Sequence, residues 1–487
     1  MTIQEYLQQI DQVIENGKFK DSWESLADHP TPSWFTSGKF GIFIHWGIYS
    51  VPAYCNEWYP KWMYWKGHPV YFHHKKTYGD PSQFGYKDFI PMFKAEKFDA
   101  DEWVDLFQRS GARYIMPVGE HHDGFKMYDS GLSRWTSVNM GPKRDVLGEL
   151  RQACGRTGMG FLASHHRAEH YFFLNAGRKI PGSDVNDDQY RDFYGPAVPF
   201  AGGRNDEKFL NPTREWAEDW LVSACEMIDR YQPLAVYFDW WINAEGYRPY
   251  VKKFLAYYYN RAVEWGKEVT VFYKQDGIMQ GCATFDIERG QFDAPFPYPW
   301  QGDTSTGKNS WGYTENNRFK TPEELVCNLI DVVSKNGCFM LNVGPKADGT
   351  ICTEDRNILL KIGEWMQVNG EGIYDSQPYR LYAEGVKKRK SGSFKENLRY
   401  GKNEFRFTYK NGAIYAFAMA PSKDGRYVLS SFSGKGGLDR IQYPVRRVTA
   451  LGYGEAAFEK DKKGSLRLSC DRCAGASMPV CFKIEIE

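Results

Sequence analysis

Short apolar runs alternate with amphipathic helical patterns as far as about residue 370. The pattern predicts strands at 40–47, 113–119, 159–165, 234–240, 269–274, 285–290 and 338–344. It predicts helices at 101–111, 144–158, 211–231, 250–266 and 321–337. This alternation indicates a parallel sheet covered by helices, and about seven or eight repeats fit a (β/α)8 barrel with long inserted loops. A doubly wound open sheet is the alternative, but the glycine-rich phosphate-binding motif of such folds is absent from the sequence.

Specific start and stop signals support two of these helices. Thr321 and Glu324 form a capping box, and Gly337 is a stop signal for the same helix. The helix at 211–231 is predicted to begin at Asn211, with Pro212 just inside. The first twenty residues are polar and predict a further amphipathic helix.

The pattern changes to short alternating runs from about residue 380. Lys410-Asn411-Gly412 separates two of these runs and is typical of a β-hairpin. We therefore predict a (β/α)8-like TIM-barrel domain at 1–375, which includes the N-terminal helix. An antiparallel β-sandwich is predicted to follow at 376–487.

Composition excludes several classes of protein. The chain has 487 residues and a net charge of +1, which gives no overall field to attract nucleic acid or an anionic membrane. No run approaches the roughly 18 apolar residues of a spanning helix. The polar N-terminus is not a signal peptide, so the chain as given is predicted to be cytoplasmic, with a trimmed export signal as the open alternative. The oligomeric state is left open.

The ten cysteines predict a reducing environment. Most of them lie within apolar segments, as expected for buried, reduced thiols. Cys470 and Cys473 form one C-x-x-C with no second pair nearby, which gives little support for a zinc site.

The run "PLAVYFDWWIN" at 233–243 ends a predicted strand on an acid, Asp239, followed by two tryptophans. A carboxylate is costly to bury unless it has a partner or a function. In a barrel, loops at the carboxyl ends of the strands carry the chemistry. Histidines and acids follow the other predicted strands as well, and they include His45, Glu57, His121, His122, His165, His166, Asp286 and Glu288.

Two chemistries fit histidines combined with carboxylates. One is a metal-dependent hydrolase with histidine ligands, and the other is a glycosidase with a carboxylate pair. A non-catalytic carbohydrate-binding protein is a third possibility. Neighbouring residues of a strand point to opposite faces, so we expect only one histidine of each His-His pair to reach the site. The many tryptophans favour the glycosidase, because indole rings pack on the apolar C–H faces of sugars.

Several motifs in order resemble the α-L-fucosidases of glycoside hydrolase family 29. They are "FGIFIHWGIYSVP", "NEWY", "EHHDGF", "SVNMGPKRDVLGEL", "YFDWW", "SWGY" and "ELVCNLIDVVSKNGCFMLNVGPKADGT". The resemblance covers about residues 30–375. It implies a (β/α)8-like catalytic domain, a C-terminal β-sandwich, and hydrolysis of terminal α-L-fucosides with retention of configuration. No metal or other cofactor is implied, and the partner is a fucosylated glycan or fucoside.

The resemblance also implies roles for particular residues. Asp239 matches the nucleophile of the family. Phe43 and Trp311 match apolar groups near the methyl group of fucose, and Tyr237 stands where relatives often have tryptophan. The residues that match those gripping the hydroxyls and ring of fucose are His45, Glu57, Trp58, His121 and His122.

The general acid/base is assigned to Glu288, with Asp286 as the second choice. Many family members have Trp-Glu where this chain has Trp300-Gln301, so that carboxylate is absent. Lys274 matches an arginine that contacts the sugar in relatives. One histidine of the pair at 165–166 is expected to line the pocket, and His166 is assigned to sugar binding.

Overall fold

A computed structural model describes residues 2–199, 210–386, 390–396, 399–433 and 439–487. The helices of these residues are α1 Ile3–Asn16, α2 Trp23–Leu26, α3 Ser33–Gly38, α4 Tyr59–Trp62, α5 Pro69–Thr77, α6 Ala100–Arg109, α7 Val146–Thr157, α8 Arg167–Phe173, α9 Arg191–Tyr194, α10 Arg214–Tyr231, α11 Arg248–Trp265, α12 Pro322–Ser334 and α13 Thr353–Asn369. The first nine strands are β1 Phe40–Ile44, β2 Tyr114–Glu120, β3 Gly160–Phe161, β4 Ala163–His165, β5 Ala235–Phe238, β6 Thr270–Tyr273, β7 Thr284–Glu288, β8 Trp300–Ser305 and β9 Gly337–Val343. The remaining strands are β10 Gln377–Glu384, β11 Phe405–Lys410, β12 Ala413–Ala418, β13 Arg426–Leu429, β14 Val445–Ala450, β15 Gly454–Glu455, β16 Ala457–Lys460, β17 Leu466–Ser469 and β18 Val480–Ile486.

Strands β1 to β9 form a closed parallel barrel. The sheet order is β1-β9-β8-β7-β6-β5-β4-β2-β3, and β1 pairs with β2 as well as with β9, which closes the sheet. Because β2 pairs with both β3 and β4, these two short pieces together occupy one strand position of the barrel, interrupted at Leu162. Eight strand positions therefore surround the interior, and the barrel prediction is confirmed over the doubly wound alternative.

Alternate side chains of the strands fill the inside of the barrel. Phe43, Met116, Tyr237, Phe272 and Met340 belong to one buried apolar cluster with neighbours from other strands. The intervening residues pack outward against the helices, as the two-residue repeat of a strand requires. Phe43 and Tyr237 lie near the carboxyl ends of their strands, so the inner core leads directly to that face of the barrel.

The barrel departs from eight regular β/α repeats in one sector. The connections from β6 to β7 (274–283) and from β7 to β8 (289–299) contain no helix. Strand β8 was not predicted, because "WQGDTS" is polar and shows no apolar run, although every residue of it is buried. Polar side chains of β8 bond to Asp286, Tyr237 and Glu396, and hydropathy alone does not indicate such contacts.

Helix ends follow the predictions in part. The capping box of Thr321 and Glu324 is confirmed at the start of α12. This helix ends at Ser334 with Lys335 as its C-cap, so the predicted stop at Gly337 is wrong. Helix α10 is capped by the Thr213 side chain, which accepts from the backbone of Trp216, so the start predicted at Asn211 is also wrong. The N-terminal helix is confirmed as α1, with its own capping box.

The C-terminal strands form two antiparallel sheets. One has the order β10-β11-β12-β18-β14-β15 and the other β13-β17-β16. Phe407 and Ile414 of the first sheet share a buried cluster with Leu429 and Leu468 of the second, as in a β-sandwich. The hairpin predicted at residues 410–412 joins β11 to β12. The alternation of strands and helices ends with α13, and the antiparallel strands begin with β10. The exact domain boundary at 375/376 stays a prediction.

The described cysteines are of two kinds. Cys470 and Cys473 are joined in a disulfide, so this pair is neither a zinc half-site nor a pair of reduced thiols. The other eight form no disulfide among the described residues, and apart from Cys55 they are buried, as predicted for thiols in apolar segments. Among the helices of the described residues, none is both long and apolar enough to cross a membrane.

Candidate active site

A cavity of about 280 Å³ opens at the carboxyl end of the barrel. Every site residue predicted from sequence lines it except Lys274. These residues are Phe43, His45, Glu57, Trp58, His121, His122, His166, Tyr237, Asp239, Glu288 and Trp311. They come from the carboxyl-end halves of six different strands and the loops that follow them, which is the arrangement that barrel enzymes use to assemble a site.

Asp239 follows the last residue of β5 and receives two imidazole hydrogen bonds. Its Oδ2 lies 3.3 Å from His122 Nε2 and 3.3 Å from His166 Nδ1. Burial opposes the charge of this carboxylate, but the hydrogen bonds from both imidazoles and the nearby Lys274 ammonium hold the pKa of Asp239 well below its usual range. The side chain is therefore an anion that still faces the cavity.

His122 lies between two carboxylates. Its Nε2 is 3.2 Å from Glu169 Oε2 as well as 3.3 Å from Asp239, and its Nδ1 donates to the His166 carbonyl at 3.2 Å. Burial disfavours a charged imidazole, but Glu169 and Asp239 outweigh it and raise the pKa of His122 to about 9. Both ring nitrogens donate, so His122 is an imidazolium at neutral pH. Glu169 is held in turn by Trp241, whose Nε1 donates to Oε2 at 2.6 Å.

The other three histidines of the cavity are neutral. Burial lowers the pKa of His45, His121 and His166, and repulsion from neighbouring histidines adds to the effect. His45 Nδ1 donates to Asn342 Oδ1 at 2.6 Å, and His166 Nε2 accepts from Ser164 Oγ at 2.9 Å. His121 Nδ1 is buried and has no hydrogen-bond partner among the residues that the structure describes. A neutral imidazole offers one donor and one acceptor, which suits a sugar hydroxyl.

Both histidines of the first pair reach the cavity, so the expectation of one histidine per pair is wrong there. His121 and His122 lie beyond the end of β2, in a turn, where the alternation of a strand no longer applies. The expectation holds for the second pair. His165 is the last residue of β4 and faces Ser223 at 3.3 Å, whereas His166 lines the cavity.

Aromatic rings and Glu57 line another part of the cavity. Glu57 Oε2 accepts from Ser310 Oγ at 2.9 Å and from the Trp311 backbone N–H at 2.8 Å. The Trp311 ring lies 5.2 Å from the His45 ring and 6.3 Å from that of Phe43. Trp58 packs edge-on against His122, with ring centroids 5.8 Å apart. This part of the cavity thus offers flat apolar faces beside a fixed carboxylate.

Glu288 ends β7 and is held by two donors. Trp240 Nε1 donates to Oε2 at 2.7 Å, and Lys274 Nζ lies 3.2 Å from the same oxygen. The Lys274 ammonium is also 2.8 Å from Asp286 and 3.7 Å from Asp303. Lys274 therefore contacts three carboxyl groups, two of which line the cavity, but does not line it itself, which differs from the sugar contact expected from sequence.

Asp286 is buried and does not line the cavity. Besides Lys274, it accepts from Gln301 Nε2 at 2.8 Å. Gln301 is the residue that stands where many family members have glutamate. Burial raises the pKa of Asp286 while the Lys274 ammonium opposes this effect.

Sequence reasoning missed several residues that line the cavity. They are Asn56, Trp62, Trp240, Asp303 and Phe394. Asp303 lies in β8, in register with Glu288 of β7. Its Oδ2 accepts from Tyr237 Oη at 3.2 Å, while its Oδ1 is buried without a hydrogen-bond partner. Burial and the neighbouring Asp286 raise the pKa of Asp303 well above its usual range.

Two groups of side chains could hold a metal ion. His45, His121 and His166 form one, and His122, His166 and Asp239 form the other. In each group the ligand atoms lie within 4.8 Å of one another. In the second group His122 is an imidazolium, and a metal ligand must be a neutral imidazole, so this group fits an ion poorly. The first group has neutral rings and is compatible with one.

Comparison with known proteins identifies the family. The family model for alpha-L-fucosidase matches residues 6–371. Rat tissue alpha-L-fucosidase is 30% identical over 476 residues, which are 95% of this chain and 90% of the relative. Human plasma alpha-L-fucosidase is 33% identical over 378 residues, 74% of this chain and 73% of the relative. The crystal structure of Thermotoga maritima alpha-fucosidase in complex with fucose superposes with a TM-score of 0.76 at 28% identity, covering 96% of this chain and all of that one.

The family match spans the whole barrel, and the structural match extends over the C-terminal sheets as well. Together with the carboxylate-rich cavity, these similarities show that the chain belongs to the alpha-L-fucosidase family and is an enzyme, a glycoside hydrolase.

Proposed function

We propose that this protein is a retaining exo-glycosidase that hydrolyses terminal α-L-fucosides by double displacement. Asp239 is the nucleophile and Glu288 the general acid/base. The observation that carries the proposal is the contrast between these two carboxyl groups of one cavity. Two imidazoles bond to Asp239 and keep it ionised, whereas Glu288, at the end of β7, contacts Trp240 and Lys274 instead. A retaining mechanism requires the two carboxyl groups to be about 5–5.5 Å apart.

Three features support Glu288 over the other acids. Asp286 does not line the cavity and is bound by Lys274 and Gln301. Asp303 lies within β8, is only 2% exposed and accepts a hydrogen bond from Tyr237. Glu288 is the last residue of its strand, where a leaving group entering from solvent can reach it.

The reaction then proceeds in two balanced steps. Asp239 attacks the anomeric carbon while Glu288 gives its proton to the glycosidic oxygen, so the leaving group departs and a β-fucosyl ester forms. Glu288, now a carboxylate, takes a proton from water, whose oxygen attacks the anomeric carbon. Fucose leaves with its original configuration, and Asp239 is again a carboxylate.

The rest of the cavity binds the sugar. His45, His121 and His166 exchange hydrogen bonds with its hydroxyls, and the buried Nδ1 of His121 gains the partner it lacks. Glu57 accepts a further hydroxyl, and Trp58 packs on the ring. Phe43 and Trp311 provide an apolar wall for the methyl group that distinguishes fucose from galactose of the same configuration.

An assay on three aryl glycosides tests this function. We expect release of the aryl group from the α-L-fucoside and far slower release from the corresponding galactoside and xyloside. A protein that cleaves none of the three, or prefers the xyloside, would contradict the proposal. The substrate class is a fucosylated glycan or fucoside; the absence of nucleic-acid and membrane partners and a cytoplasmic location remain predictions from composition and the N-terminal sequence.

A metal-dependent hydrolase is the second candidate, because His45, His121 and His166 bring three ligand atoms within 4.8 Å of one another. The two functions differ in their response to chelation. Under the glycosidase mechanism, prolonged treatment with a chelator leaves the rate of fucoside hydrolysis unchanged. A stoichiometric zinc or manganese that is lost together with activity would establish the metal-dependent mechanism instead.

A further inference from the structure

A short segment from the C-terminal part of the chain reaches the rim of the barrel. Residues 390–396 follow β10 and lie alongside the residues that continue from β7. The backbone N–H of Phe394 donates to the Glu288 carbonyl at 2.8 Å, and that of Gly392 donates to the Gln291 carbonyl at 2.8 Å. The segment is thus attached by its backbone to the residue proposed as the proton donor.

Glu396 anchors the same segment to the wall of the barrel. Its carboxylate accepts from Lys320 Nζ at 2.7 Å, from Thr304 Oγ1 at 2.6 Å and from Asn328 Nδ2 at 2.7 Å. The carboxylate is almost buried, with 11% of the side chain exposed, so these bonds are well shielded from solvent. The position of the segment is therefore set by charge-assisted bonds on one side and backbone bonds on the other.

Between these two attachments, Phe394 presents its ring to the cavity. The residue is 60% exposed, although the backbone beside it is fixed. Its ring is nearly parallel to that of Trp240, at 10° with centroids 6.2 Å apart. Trp240 in turn donates to Glu288. Two aromatic residues thus contact the proposed proton donor. Trp240 bonds to the side chain of Glu288, and the backbone of Phe394 bonds to its carbonyl.

We propose that Phe394 and Trp240 form the binding site for the leaving group, and that its occupant is a pyranose presenting an apolar C–H face. The proposal rests on the function above, because it takes Glu288 as the proton donor. The proton goes to the glycosidic oxygen, so the first ring of the leaving group must lie next to Glu288, where these aromatic faces are. The C-terminal part of the chain thereby contributes directly to the choice of substrate.

The test compares two substrates that share the fucosyl group. α-L-Fucosyl fluoride has no leaving-group ring, whereas a fucosyl-(1→2)-galactose disaccharide has one. For Phe394→Ala, we expect the ratio of kcat/KM on the disaccharide to kcat/KM on the fluoride to fall about three- to tenfold. Phe394→Trp, which keeps an aromatic face, should restore most of the ratio. Phe72→Ala is the matched control, because Phe72 is also 60% exposed and does not line the cavity; its ratio should equal that of the unmodified protein.

Each other outcome overturns the assignment in a recognisable way. Equal losses on both substrates would mean that Phe394 only supports the shape of the catalytic cavity. An unchanged ratio would remove Phe394 from the substrate site. A loss on an aryl fucoside without a loss on the disaccharide would contradict a sugar as the occupant. Failure of the unmodified protein to release fluoride would instead contradict the proposed function itself.

Discussion

The two carboxyl groups proposed as catalytic lie just after β5 and at the end of β7, and their surroundings differ in kind. Asp239 has two imidazoles on one oxygen and Lys274 nearby, and its pKa is held well below its usual range. Glu288 shares the single Lys274 ammonium with Asp286 and Asp303. One acid is therefore surrounded by donors, while the other belongs to a group in which three carboxyl groups compete for one cation.

This difference supports the separate roles that we propose for the two acids. A nucleophile must be an anion before the substrate arrives, and donors that do not depend on substrate provide this at β5. An acid/base must both hold and release a proton, and Glu288 has no pair of imidazole donors of the kind that binds Asp239. Under the proposal, two similar side chains of one fold differ in role because their neighbours differ.

Removing the carboxylate at β5 should have the largest effect. In Asp239→Gly no fucosyl ester forms, so kcat should fall at least about a thousandfold on aryl and natural fucosides. Added azide can occupy the vacated space and attack from the same face, giving the β-fucosyl azide, which NMR of the product identifies. Asp276→Gly, at an exposed position outside the cavity, is the control and should keep full activity. An active Asp239→Gly protein would invalidate the nucleophile assignment.

Removing the carboxyl group at β7 should have a smaller effect that depends on the leaving group. For Glu288→Ala, we expect a loss of about a hundredfold to ten-thousandfold on substrates whose leaving group needs a proton. A dinitrophenyl fucoside needs none, so its first step should survive and the ester should accumulate. Azide should then accelerate turnover and give the α product, opposite to Asp239→Gly. If Glu288→Ala keeps near-full activity while Asp286→Ala does not, the acid/base is Asp286.

The apolar wall of Phe43 and Trp311 should contribute about one order of magnitude to the preference for the fucoside over the L-galactoside. Fucose lacks the 6-hydroxyl of L-galactose, and Phe43 with Trp311 would leave that hydroxyl desolvated and unpaired, at a cost of about 1–3 kcal/mol. We expect kcat/KM to be at least about tenfold higher for the aryl α-L-fucoside than for the α-L-galactoside. Equal values for the two glycosides would mean that no apolar methyl pocket exists.

Changing Glu169 should have the smallest effect on rate and the clearest effect on titration. Glu169→Gln keeps an acceptor for Trp241 but removes the charge that favours the His122 imidazolium. The pKa of His122, about 9, should therefore fall by about one unit or more, measured by NMR of the imidazole carbons. The rate at neutral pH should fall only a few-fold. An unchanged pKa would mean that Asp239 alone keeps His122 charged.

The same shift links pH to stability. The pKa of His122 is higher in the folded protein than the ordinary value of 6.5, so protonation stabilises the fold. That contribution is complete below about pH 6.5 and is lost as the pH rises through about 9. Between pH 6 and pH 9.5, the melting temperature of Glu169→Gln should therefore fall less than that of the unmodified protein.

Much of the fold could be predicted from the sequence where apolar runs mark strands. Strands β1, β2 and β5 show such runs, and their ends carry His45, His121 and Asp239. The polar strand β8 gave no such signal, and Asp303 was missed with it. Gln301 lies in the same strand, but the sequence marks it only as a position where many family members have glutamate.

Long-range placement explains the other differences. Lys274 follows β6 as expected, but it does not line the cavity, because its ammonium contacts Asp286 and Asp303 of two other strands. Phe394 lies about 100 residues beyond Glu288 in the chain, and its place beside the cavity depends on the anchor of Glu396. No local pattern indicates contacts of this kind.

The central claim is that Asp239 becomes covalently attached to the sugar. A 2-deoxy-2-fluoro-α-L-fucosyl fluoride should form the ester quickly and release it slowly, because the fluorine destabilises the oxocarbenium-like transition states and the fluoride needs little help to leave. Intact-mass measurement should then show one fluorofucosyl residue per chain, and peptide mapping should place it on Asp239. A label on Glu288, Asp303 or Glu57, or full inactivation without any covalent label, would contradict the account.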